Sequence, residues 1–154
     1  MTVAPATTAS NQKTPWLPIA AAAILSIVDS VCKAIVLAHP DLENKGFISF
    51  SLFRNEGIAF SLPFRGLLFW ITALPIFVGV CIAAVVAYRL QKNRLFMAFI
   101  FVILGAASNI FDRLTHGAVI DYLIFFRVSA VNIADGMIVG GILAAIFLNY
   151  RKEA

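Results

Sequence analysis

The chain has 154 residues, 61% of them hydrophobic and 13% charged, with a mean hydropathy of +0.92. Soluble domains carry about 45–50% apolar and about 25% charged residues, so this composition excludes a disordered chain, a collagen and an ordinary soluble enzyme. Two cysteines exclude a disulfide-built secreted scaffold. One membrane crossing takes about 20 apolar residues, which leaves room for about four crossings, short connections and no separate soluble domain. The net charge is +4. Its basic residues flank apolar runs, as membrane orientation requires, so they are not read as a nucleic-acid surface.

Residues 1–15 are rich in Ala, Thr and Ser with a single charge, Lys13, and read as a flexible tail ahead of one membrane domain over 16–154. The first apolar run, Trp16 to about Val36, is too long for the core of a cleavable leader and contains Asp29 and Lys33, which such a core avoids. Three more runs follow, at about Leu67–Tyr88, Leu95–Phe111 and Val131–Tyr150. Each predicts a membrane-crossing helix. The 88–94 link carries Arg89, Lys92 and Arg94 with no acid, and the C-terminus carries Arg151 and Lys152. Both therefore face the cytoplasm, and four crossings place the N-terminus there too. The longer connections, 37–66 and 112–130, then lie outside. Within the first, Phe47–Phe53 partly alternates apolar with polar residues and predicts short strands. Ile58–Leu68 is apolar with one Pro and one Gly and reads as a stretch lying in the membrane interface. The predicted architecture is an all-α membrane protein with four transmembrane helices and a small β-containing, amphipathic cap on the outer face.

Ionisable groups inside crossings are costly and mark function. Four of the five aspartates, Asp29, Asp112, Asp121 and Asp135, fall near the outer boundary in this topology. Asp29 and Lys33 stand four residues apart with the acid first, a favourable helix ion pair, and read as a structural brace. Asp112 adjoins Arg113 and reads as a charge-paired buttress, with Asn109 on its face one turn deeper. Asp135, preceded by Asn132, has no basic residue within four positions, and Asp121 sits in the apolar Val119–Tyr122 stretch. These two acids lack local counter-ions, so they are the candidates for a pair sharing one proton; the alternative for Asp121 is a lone acid solvated at the interface. Cys32 and Cys81 read as buried thiols. His39 and His116 are not at metal-ligand spacing, and Gly136-x-x-x-Gly140 reads as a close helix-packing motif.

The arrangement resembles the bacterial lipoprotein signal peptidases, the type II signal peptidases. Five of that family's motifs run in order over about residues 16–150: Asp29-Ser-Val-Cys-Lys33, Asn55-Glu-Gly57-Ile-Ala-Phe-Ser61, Gly105-Ala-Ala-Ser-Asn109-Ile-Phe-Asp112-Arg113, Val119-Ile-Asp121-Tyr122 and Asn132-Ile-Ala-Asp135. The resemblance implies an aspartic endopeptidase of the bacterial inner membrane that cuts lipid-modified prolipoproteins before the diacylglyceryl cysteine. It implies Asp121 and Asp135 as the catalytic pair, and support from Asn109, Asp112, Arg113 and Asn132. Asn55 and Gly57 would face the substrate. No metal or other cofactor is expected, the membrane lipids and the substrate are the expected partners, and a monomer is the expected state. Residues 122–134 form a shorter connection than is usual in the family, Val131 stands for its Phe, Gly136 for its Ser or Thr, and Cys32 for its Thr or Ser. The short connection bears on the lid over the site.

The competing reading is a small proton-coupled transporter, which also uses paired membrane acids but needs them near the midplane with access from both sides. The topology has a direct check. A cysteine introduced at Asn93 is expected to resist an impermeant thiol reagent applied from outside, and one at Asn44 to react; the reverse pattern inverts the orientation.

Overall fold

A computed structural model describes residues 16–42, 46–57 and 67–150. The tail over 1–15, the C-terminal charges and residues 58–66 of the expected interfacial stretch lie outside them. In chain order the elements are α1 (Trp16–Ala38), β1 (Ile48–Asn55), α2 (Leu67–Arg89), α3 (Asn93–His116), β2 (Val119–Phe125), β3 (Ser129–Val131) and α4 (Ile133–Tyr150). The four helices are each long and apolar enough to cross a membrane. Their side-chain distribution is that of a protein solvated by lipid. Ile27, Val31, Ile71, Ile82, Val85 and Leu143 are exposed, whereas Ala22, Ala84, Ala87, Ala98 and Ala134 are buried. Small residues let helix backbones approach closely where no hydrophobic drive separates lipid from protein.

Helix α3 is central and packs against α1, α2 and α4. Its closest approach to α4 uses two glycines. A Cβ at Gly105 would stand 2.5 Å from the Ala134 carbonyl oxygen, and one at Gly141 would stand 2.6 Å from that of Ala98. The expected packing motif, Gly136-x-x-x-Gly140, does not serve this contact, because a Cβ at either position meets nothing within 4 Å. The neighbouring register of the same helix, through Gly141, makes it instead.

The helix ends have local causes. Beyond α2, Gln91 takes a left-handed conformation (φ 56°), while its N–H donates to the Tyr88 carbonyl (3.0 Å) and that of Lys92 to Ala87 (2.9 Å). This is a Schellman closure with Gln in the usual Gly position. Gly117 ends α3 at φ 73°, its N–H on the Arg113 carbonyl at 3.1 Å. Helix α3 thus extends past the predicted Phe111, because Asp112 turns toward other buried polar groups and does not interrupt the apolar packing. The strands form an antiparallel sheet, β1-β2-β3, with an irregularity in β1 between Phe50 and Phe53. Only β1 was predicted. Strand β3 takes Val131 out of the fourth helix, which begins at Ile133. Between β2 and β3, Phe126 (φ 50°) and Arg127 (φ 58°) form the turn closed by Val128 N–H to Phe125 O at 3.0 Å, and two positive φ values match the twist of a tight hairpin. The sheet is seated on the last turns of α1 through Val36, Ile120 and Tyr122, all buried, with Phe50 and Leu52 beside them.

The two glycine registers make opposite predictions. Gly141→Ala is expected to cost about 1–3 kcal/mol by overpacking, read as a lower melting temperature in detergent. Gly140→Ala meets open space and gains helix propensity of up to ~1 kcal/mol, so its melting temperature is expected to match or exceed that of the parent.

Candidate active site

A buried ammonium organises one end of the helices. Lys33 Nζ lies 2.8 Å from Asp29 Oδ2 and 2.7 Å from Asp112 Oδ2. It also donates to Ser108 Oγ (2.7 Å) and Asn109 Oδ1 (3.3 Å), and the Ser108 hydroxyl passes its own hydrogen to Asp29 Oδ2 (2.7 Å). Asp29, Lys33 and Asp112 are all buried. Asp112 was expected to hold Arg113. Successive helix residues point about 100° apart and do not share a face. Asp112 accordingly faces α1 and accepts the Ile120 N–H at 3.1 Å, while Arg113 faces away toward the Gly57 carbonyl. The network therefore ties α1, α3 and the start of β2 together.

The start of α4 is built from the same polar side chains. Its first backbone N–H groups lack partners within the helix. Ile133 N–H donates to the Tyr122 hydroxyl (3.1 Å), Ala134 N–H to Asp29 Oδ1 (3.2 Å) and Asp135 N–H to Asn132 Oδ1 (2.8 Å). Asp135 returns the favour of its cap, since its Oδ2 accepts the Asn132 N–H at 3.3 Å. Asn132-x-x-Asp135 is thus a reciprocal capping box, with a candidate reactive carboxylate at its third helical position.

Asn132 also reaches the other candidate acid. Its Nδ2 donates to Asp121 Oδ1 at 2.8 Å and to Asn109 Oδ1 at 3.1 Å, and Asn109 Nδ2 donates to Asp135 Oδ1 at 2.7 Å. One carboxamide pair therefore spans both carboxylates. Asp121 is fully buried, and Asp135 is half-buried and lines the groove described below. Burial, and then the neighbouring Asp135 charge, push the Asp121 carboxyl up to about 7. Among the described residues every buried side-chain nitrogen and oxygen has a hydrogen-bond partner, and no group of three His, Cys, Asp or Glu is placed to hold a metal ion.

Asn55 and Gly57 reach the site as one turn. Asn55 Oδ1 accepts the Gly57 N–H (3.1 Å), its Nδ2 donates to Asp121 Oδ2 (3.1 Å), and Arg113 Nη2 holds the Gly57 carbonyl at 2.6 Å. The Arg113 guanidinium lies over the Phe69 ring, 4.3 Å from its centroid. Beneath this turn an apolar groove of about 680 Å³ runs between α2, α3 and α4. Phe77, Val102 and Ile142 are among its walls, and Asn55, Asn109, Arg113 and Asp135 converge in its lining. Few polar groups at the edge of an apolar cleft is the usual form of a binding site.

The structure thus brings together all of Asp121, Asp135, Asn55, Gly57, Asn109, Asp112, Arg113, Asn132, Asp29 and Lys33. Sequence reasoning gave no role to Ser108 and Tyr122. Tyr122 is buried, and its hydroxyl donates to Asp29 Oδ1 at 2.9 Å; burial holds this phenol well above its usual range, so it stays a neutral donor. The strand alternation around Asp121 would have pointed Tyr122 to the opposite face, but only once β2 was recognised.

Acid-lined polar groups at one end of four membrane-crossing helices define a polytopic membrane protein with a carboxylate-pair site. The family model described as signal peptidase (SPase) II matches residues 21–150. Lipoprotein signal peptidases of Shewanella sediminis and Azoarcus sp. are 35% and 34% identical, with 84% and 89% of this chain and 82% and 83% of theirs covered. A bacterial membrane enzyme solved by the in meso method at 2.3 Å resolution shares the fold, with a TM-score of 0.73, 21% identity and 89% coverage of each chain. The chain belongs to the signal peptidase II family.

The ion network carries a stability prediction. Lys33→Ala leaves two buried carboxylates without their cation, which is expected to cost on the order of 3–5 kcal/mol and to be read as a large drop in melting temperature or in accumulated protein. Lys33→Arg, which keeps the charge, is expected to fall between the two.

Proposed function

We propose that Asp121 and Asp135 are the catalytic pair with which this chain cuts prolipoprotein signal peptides. The activity itself, aspartic-type cleavage of prolipoproteins, follows from membership of the family. The transporter reading has no support, since the acids gather at one end of the helices. The observation carrying the assignment is Asn132, whose side chain bonds Asp121 and whose backbone bonds Asp135.

Two carboxylates held by one bridging residue do not both ionise readily, and near neutral pH they carry one proton between them. The ionised partner takes a proton from water as that water attacks the scissile carbonyl. The protonated partner hydrogen-bonds the carbonyl oxygen and then protonates the leaving amine. The pair titrates as a unit. This chemistry calls on neither a metal nor an organic cofactor. Asn55 stands over Asp121, so the scissile bond reaches that carboxylate when the carboxamide turns aside. The apolar groove below suits the hydrophobic stretch of a signal peptide, and a lipidated cysteine there keeps its acyl chains in lipid. The favoured arrangement is a monomer in the bacterial inner membrane with both termini cytoplasmic and the site toward the outer face. It rests on the basic 88–94 link and on a site supplied by one chain.

Asp121→Asn and Asp135→Asn are each expected to abolish cleavage of a lipidated prolipoprotein peptide while the protein still accumulates in the membrane. The double variant is expected to be hardly worse than either, since groups acting as a unit are non-additive. Near-normal cleavage by either single variant overturns the assignment. In the parent, kcat is expected to fall as pH rises through about 7, the value to which the Asp121 carboxyl is pushed and near which the pair gives up its proton, and to be held just below that value; a rate rising across this window contradicts the shared-proton mechanism.

A further inference from the structure

Two consecutive residues of β2 act on the two candidate catalytic acids in different ways. Asp121 carries one carboxylate itself. Tyr122 points to the opposite face of the strand, as alternation requires, and reaches the helix that carries the other. Its hydroxyl donates to Asp29 Oδ1 at 2.9 Å and accepts the Ile133 N–H at 3.1 Å. Ile133 is the first residue of α4, two before Asp135. The ring is fixed by burial against Val36 and Ile120, and lies 5.5 Å from the Phe50 ring. The acceptor is fixed as well: Asp29 is held by Lys33, Ser108 and the Ala134 N–H.

We infer that Tyr122 is a positioning residue for catalysis: its hydroxyl, anchored on Asp29, sets where α4 begins and thereby the separation of Asp135 from Asp121. The inference rests on those two acids being the reactive pair. Strand β2 then works as a ruler, with one end of the measured distance on Asp121 and the other on the helix start that Tyr122 holds. Nothing in the shape of the ring supplies this. A phenylalanine fills the same space in the Val36–Ile120 cluster but leaves the Ile133 N–H without its acceptor. The start of α4 is then held by Asp29 and Asn132 alone, and misplacement of a reacting group by about 1 Å can cost up to about 100-fold in rate. The charged groups around the pair, Lys33 on α1, Asp112 and Arg113 on α3 and Asp29 itself, all remain; Asp29 loses the Tyr122 hydroxyl but keeps Lys33, Ser108 and the Ala134 N–H.

The link can be cut from either end. Tyr122→Phe removes the hydroxyl. Ile133→Pro removes the N–H, at a first helical position where proline is well tolerated and its preceding residue is already non-helical. Each is expected to lower kcat about tenfold or more with KM within about twofold, and to shift the pH dependence of kcat, because the mutual influence of the two carboxylates depends on their separation. Combining them is expected to add little, since both cut the Ile133–Tyr122 hydrogen bond. Met97→Ala, which opens a cavity in a buried part of α3 about three turns from the site, is expected to lower the melting temperature and leave kcat, KM and the pH profile as in the parent. Parent-like kcat and pH profile in Tyr122→Phe overturn the inference, as do fully additive losses in the double variant. Should one variant fail to accumulate, the other decides alone on the same readouts. Asp121→Asn and Asp135→Asn run alongside separate the two levels: if they are inactive and Tyr122→Phe is normal, only the positioning role falls, whereas if they are active the pair assignment falls with it.

Discussion

The structure depends on one ammonium placed where water does not reach. Lys33 stands between Asp29 and Asp112 with Ser108 and Asn109 completing its shell. Removing such a cation from water is costly, and the cost is recovered only with good geometry and full hydrogen bonding. Three N–H groups facing four acceptors meet that condition. The arrangement also fixes three elements at once, because α1 supplies Lys33 and Asp29, α3 supplies Asp112, and Asp112 in turn holds the Ile120 amide at the start of β2. In lipid, where apolar contact alone gives helices little reason to choose one register, such polar contacts specify which faces meet.

From this anchor the positions of both candidate acids follow by short steps. The Asp29 carboxylate takes an amide of α4 directly and a second through Tyr122. Asn132 caps the same helix and Asp135 caps Asn132 in return. A helix end buried without partners would be unstable, so the groups that satisfy it are also the groups that aim Asp135. Asp121 is aimed by the strand that lies against α1. Folding and the placement of the two candidate acids therefore draw on the same atoms.

On the groove side the Asn55–Gly57 turn has the corresponding task. Its shape comes from Asn55 bonding the Gly57 amide, and its seat from Arg113, which grips the Gly57 carbonyl and stacks on Phe69. The positive guanidinium near Asp121 and Asp135 thereby holds Gly57 against α3. Polar groups thus gather at one end of an apolar groove walled mostly by helix side chains, the shape that the proposed binding of a largely hydrophobic substrate calls for.

The sequence by itself determined the four crossings, since a run of apolar residues in lipid has no other way to satisfy its backbone than as a helix. It also singled out Asp121 and Asp135, because acids without nearby bases stand out in a chain so poor in charge. The Asp29–Lys33 pair was legible because four-residue spacing is local geometry. Only the tertiary structure decided the partners of Asp112 and Arg113, since adjacency in sequence puts side chains on different helix faces and the nearest charge along the chain is not the nearest in space. Strand β2, buried along its first residues on both faces, shows no alternation of polar and apolar residues to announce it. Tyr122 and Ser108 were silent for the same reason: a hydroxyl gives no pattern in a sequence, and what it bonds depends on helices brought together from residues 29, 108 and 133, far apart in the chain.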